Sequence, residues 1–376
     1  MRVTLLLLIL SGCKAAVPPA RAAATTDGAL ALGNLDAQIV GQEKLLARRP
    51  DSLMTAGALV ELLQARAQYT GSIADYDRAA DLAERAVRSA PQEADAFLIR
   101  AGARAALHSF AQALTDADAA QRLGAGNDKL TALRASVFQG QGRLAEAIAL
   151  RREAVRIHAT TQSLGALAAA EGAQGERDAA ERDFDEAVRL YRDSSPFPLA
   201  WIDFQRGLLR EKTGDLAGAR AAYSAALVRL PQYAQAAAHL AGLEAIEGNR
   251  ARAVQILRPL TSLDDPEYSG QLAALLSEPE RDAMRQSARA RFDALLARHP
   301  EAFADHAARF FLPFDPHRAF ALATLNLGVR RSWEAYELAL NAAAEAGVDP
   351  CGIATEAAAL PAPPRRIQLL ASRCRP

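Results

Sequence analysis

Along most of this chain, small and apolar residues return every three or four positions, the period of a helix with one buried face. Five such segments align on one another: "HSFAQALTDADAA" from His108, "GRLAEAIALRREAV" from Gly142, "GERDAAERDFDEAV" from Gly175, "GDLAGARAAYSAAL" from Gly214 and "GNRARAVQILRPL" from Gly248. Their spacing is about 34 residues, except where "SSPFPL" lengthens one gap. Each follows a further helical segment with Ala, Leu or Gly near its middle. The leading glycines suit a turn, because positive φ is cheap only without a Cβ. The pattern predicts pairs of helices joined by short turns and repeated along the chain.

This pattern resembles the tetratricopeptide repeat, a helix-turn-helix unit. On that resemblance, Ala147, Ala180, Ala219 and Ala253 fall where the two helices of a unit cross closely. Phe184 and Tyr223 match the bulky position one turn later, and Ala154, Ala187 and Ala226 the next small one. Gly207 is the small residue of a first helix, and Pro231 ends its unit. The most complete unit runs from Ala200 to Tyr233. The resemblance implies an all-α solenoid with about six repeats over 51–267, capped by a helix within 29–50. A generic Ala-rich bundle would also show Ala stripes, but not a sustained period with Gly turns.

Beyond Tyr268 the period fades. Two amphipathic helices, Glu280 to Arg298 and Glu301 to Leu312, are expected in 268–349. A degenerate pair follows, with Leu322, Leu325, Tyr336 and Leu340 as its inner face. Residues 350–376 form a tail.

The N-terminus departs from this pattern. Val3 to Leu10 is a short apolar run behind Arg2, too short to span a membrane. Leu10-Ser11-Gly12-Cys13 resembles the bacterial lipobox, which implies cleavage after residue 12 and a diacylglycerol on the Cys13 thiol. Acyl chains contribute about 0.8 kcal/mol per buried CH₂, so two or three give a stable anchor. Lys14 stands where Asp would retain an enteric lipoprotein at the inner membrane. By analogy this places the chain on the periplasmic side of the envelope, at the outer membrane. Residues 13–28, rich in Ala, Pro and Thr, read as a flexible tether. The other reading is a chance cysteine on a cytosolic adaptor.

Export bears on the remaining cysteines, Cys351 and Cys374. In an oxidising compartment they are expected to pair. The bond would close a loop of roughly 24 residues and contribute about 3 kcal/mol. Two free buried thiols are the alternative.

Candidate chemistry is sparse. There is no HExxH, GxSxG or Gly-rich phosphate loop, and three cysteines exclude a four-cysteine zinc site. No cofactor or metal is expected. His299, His306 and His317 cluster with Asp305 and Asp315. A pocket joining His306 and His317 to an acid would favour an accessory or catalytic role for the C-terminal helices. Lys+Arg and Asp+Glu are both 44, which argued against a nucleic-acid partner. The repeat resemblance implies instead a concave groove for a protein or peptide. Phe204, Leu208 and Ala132 occupy positions where some relatives grip a carboxylate with Lys and Asn, so that clamp is missing. Trp201 and Phe204 are the candidate aromatic anchors of the groove, weighed against simple cover for "SSPFPL". The chain is thus expected to be a non-catalytic, envelope-anchored scaffold or assembly factor.

Overall fold

The computed structural model describes residues 24–360 and 365–374, so Cys13 and the segment around it lie outside the described residues. Twenty helices are found among the described residues. The first, α1 (Gly28–Arg48), caps the pair α2 (Leu53–Thr70) and α3 (Ile73–Ser89). Then come α4 (Ala94–Ala106) with α5 (Phe110–Arg122), and α6 (Asn127–Gly140) with α7 (Leu144–Ile157). The next pairs are α8 (Thr161–Gln174) with α9 (Arg177–Leu190), α10 (Phe197–Lys212) with α11 (Leu216–Arg229), and α12 (Ala234–Ile246) with α13 (Arg250–Leu260). The C-terminal part holds α14 (Pro266–Leu275), α15 (Glu280–Arg298), α16 (Pro300–Phe311), α17 (Pro316–Val329), α18 (Trp333–Ala346), α19 (Cys351–Ala358) and α20 (Arg365–Arg373). The architecture is an all-α solenoid of tetratricopeptide type.

The small residues sit where the helices of a pair cross. Ala147, Ala180, Ala219 and Ala253 have no exposed surface, and Phe184 and Tyr223 are equally buried. Gly207 on α10 leaves room for the Tyr223 ring, which would lie 2.2 Å from an added Cβ. Gly214 and Gly248 turn the chain with φ of 79° and 84°. Side-chain caps fix several starts: Asp215 accepts from the Gly218 N–H at 2.9 Å, and Thr160 and Ser163 form a capping box on α8.

Two sequence expectations shift. The boundary at 267 falls inside α14, which begins at Pro266 behind the capping Asp265, and the helical pairing continues past it. Leu325 is 45% exposed rather than inward, whereas Tyr336 and Leu340 are buried against α19 and α20. Cys351 and Cys374 are bonded, tying the start of α19 to the end of α20.

The superhelix is tight enough for distant pairs to touch. Asp264 caps the first turn of α3, accepting from the Ile73 and Ala74 N–H groups at 2.8 and 2.7 Å. Asp77 on α3 bonds both Arg298 and His299, each at 2.6 Å. The Arg331 N–H donates to the Gln141 carbonyl at 3.0 Å. None of these contacts joins neighbouring repeats.

A chamber walled by the first helices

The first helices of successive pairs enclose a chamber of about 990 Å³. Among larger apolar residues such as Leu208, Ile246 and Leu275, its lining holds small ones: Ala168, Ala169 and Gly172 from α8, and Ala238, Ala241 and Gly242 from α12. Residues of this size let a bound chain approach the helix backbones. A Cβ added to Gly242 would meet nothing within 4 Å, so at that point the wall is open.

The polar side is charged and paired. His306 on α16 donates from Nδ1 to Glu267 Oε2 at 2.6 Å, and Gln271 donates to the other Glu267 oxygen at 3.1 Å. Behind it, Asp305 Oδ1 lies 3.7 Å from His306 Nε2, and Asp305 Oδ2 accepts from Arg309 at 3.1 Å. Burial pulls the His306 pKa down, but Asp305 and Glu267 outweigh it and hold the imidazolium to about 10. Burial pushes Glu267 and Asp305 up; the cation between them dominates and holds both carboxyls low. A second pair stands across the floor. Glu211 Oε2 contacts His239 Nδ1 at 3.0 Å and accepts from the Tyr223 hydroxyl at 2.5 Å. Burial raises the Glu211 pKa, but these two partners lower it further. Lys212 is held by Glu334 and by the Ala173 carbonyl, both at 2.7 Å.

Chemically, this wall offers fixed donors and acceptors and an imidazolium held between two carboxylates. Among the described residues, its lining contains no Ser, Thr or Cys to act as a nucleophile beside either histidine. No group of three or more His, Cys, Asp or Glu among the described residues has metal-binding geometry.

The residues singled out in the sequence are dispersed by the fold. His306 does join acids in a pocket, but His317 lies exposed on α17 and His299 bonds Asp77 away from the chamber. Phe204 is 5% exposed and packs against the rings of Tyr223, Tyr233 and His239. It is a core ring, which corrects its assignment as a groove anchor. The cause is the broad buried face of α10, which turns Phe204 into the α10–α12 core. Trp201 is half-buried beside Gly165 and lines a separate cavity of about 440 Å³ with Tyr69, Gln162 and Pro198. Glu211, His239 and Glu267 were not singled out in the sequence. They lie on three different repeats, and no local spacing marks them.

No family model matches this chain, and no curated protein matches it. Solved structures do. An IFIT1 monomeric mutant with Gppp-AAAA is 15% identical over 82% of this chain and 76% of its own, with a TM-score of 0.51. A related IFIT1 mutant with m7Gppp-AAAA gives the same values. A tetratricopeptide repeat protein from Parabacteroides merdae is 18% identical over 66% of this chain and 98% of its own, with a TM-score of 0.40. At such identities the likeness concerns the fold alone, a tetratricopeptide-type solenoid. One expectation is overturned. The IFIT1 structures of this fold hold capped RNA, so the balanced charge of the chain is no ground for excluding nucleic acid. Net charge sums over the whole surface, whereas a ligand meets only the local field of its site.

Proposed function

We propose that this chain is a non-catalytic scaffold of the bacterial envelope, anchored through lipidated Cys13, that holds an extended segment of a protein partner in its chamber. The observation that carries the binding reading is the wall itself. An Ala/Gly floor admits a backbone at close range, while Glu267–His306 and Glu211–His239 supply fixed polar partners beside it. The anchoring reading rests on the Leu10–Cys13 motif. The Cys351–Cys374 bond supports it, since such bonds persist in oxidising compartments.

Two experiments test the two halves separately. Wild-type protein should incorporate labelled palmitate and partition with membranes, and Cys13→Ala should lose the label and become soluble. A Cys13→Ala protein that stays membrane-bound would sink the lipoprotein reading. For the chamber, Gly242→Leu puts an apolar side chain where an added Cβ meets nothing within 4 Å, and raises helix propensity by about 0.8 kcal/mol. It should keep the melting midpoint and abolish co-purification of the partner from native membranes. Undiminished capture, or RNA recovered in place of a protein, overturns the peptide reading.

A further inference from the structure

The last helix, α20, has two unlike faces. At about 100° per residue, Ile367, Ala371 and Cys374 fall on one side. Ile367 and Ala371 are buried with Tyr336, Leu340, Ala354 and Ala357, and Cys374 is bonded to Cys351 at the start of α19. That side is therefore fixed inward. Arg365, Arg366, Leu369 and Arg373 share an arc about 100° wide on the other side. All four are exposed, Leu369 by 53%. Exposed arginines elsewhere, such as Arg143, Arg156 and Arg189, each pair with a glutamate three residues away. Among the described residues, none of the three on α20 has a carboxylate partner; Arg366 donates to the Asn341 amide oxygen at 2.7 Å. No Asp or Glu follows Glu356 in the sequence, so nothing on this helix balances the charge.

We propose that this face of α20 lies against an anionic lipid bilayer, with Leu369 entering the interface and the three arginines on headgroup phosphates. The order of the residues favours a bilayer. Leu369 stands four and three positions after Arg365 and Arg366 and four before Arg373, so one apolar side chain is surrounded by cations. Helices that lie in a membrane interface combine apolar contact with long basic side chains that reach the headgroups. The disulfide already holds the face outward, so no segment has to be ordered to present it. The proposal rests on the lipid-anchored reading for the nearness of the surface. Ala24, the first described residue, is eleven positions after Cys13. Such a span is at most about 40 Å, which keeps an anchored body within reach of the headgroups.

The test omits the acyl chains, so its outcome is separate from that of the anchor. Full-length Cys13→Ala protein is sedimented with vesicles of phosphatidylcholine, or of phosphatidylcholine and phosphatidylglycerol in equal parts. It should bind the mixed vesicles more tightly than the neutral ones. Each arginine at an anionic surface strengthens binding about fivefold, so replacing Arg365, Arg366 and Arg373 together by Ala should weaken it by roughly 100-fold. Leu369→Ser in the same background should weaken it by about tenfold. All four sites are exposed, so the urea midpoints should stay at the parent value. Equal binding to both kinds of vesicle, or a triple variant that binds like its parent, overturns the proposal. So does soluble polyglutamate bound as tightly as the vesicles and without regard to Leu369, which would make the face a site for acidic chains. Failure of the anchor reading shows instead as wild-type protein that takes up no labelled palmitate.

Discussion

Tyr223→Ala should destabilise the solenoid by about 4 kcal/mol, read as a lowered urea midpoint. The ring is fully buried between α10 and α11, and its loss leaves a cavity the size of an aromatic side chain. Its hydroxyl also donates to Glu211, which would keep His239 but lose its shortest bond. The partner position sharpens the test. In an open helix Gly207→Ala would gain about 1 kcal/mol from propensity. Here the new methyl meets the Tyr223 ring at 2.2 Å, a rigid neighbour with nowhere to move, and overpacking costs about 1–3 kcal/mol. Gly207→Ala should therefore destabilise wild type and stabilise the Tyr223→Ala background. A double-mutant cycle measures this reversal. Equal effects in both backgrounds would show that the two positions do not meet at the crossing.

The pH dependence of stability should carry the mark of His306. Its folded pKa, about 10, lies above the ordinary 6.5. Protonated His306 therefore contributes stability that is fully present below pH 6.5 and is lost as pH rises through 10. The side chain is 34% exposed, so solvent screening reduces the contribution to about 2 kcal/mol. Wild type should lose roughly that much between pH 6.5 and 10. His306→Gln keeps one donor for Glu267 but no titrating charge, and should show a flatter profile over that window. Urea midpoints at pH 6, 8 and 10 separate the two; parallel profiles would remove His306 as the source. The variant should also be less stable than wild type at pH 6, where it leaves Glu267 and Asp305 facing each other without the cation.

Some of this molecule was legible in single segments. Ala180, Phe184 and Ala187 share one helical face at spacings of four and three, and all three are fully buried. Gly142, Gly175, Gly214 and Gly248 marked turns, and each holds positive φ. Trp201 and Phe204 show the limit. Three apart on one helix, both pack against the same core cluster, and neither lines the chamber.

The sequence by itself determined the helix pair, its period and its crossing points, because each depends on residues within about 34 positions whose size and backbone freedom act locally. Only the tertiary structure decided the chamber, the Glu267–His306 and Glu211–His239 pairs, and the long-range bonds between Asp77 and His299 and between His108 and Arg330. Those depend on how far each repeat rotates against the next. Small rotations set by packing at every interface accumulate into the curvature of the whole solenoid, and no single segment records their sum.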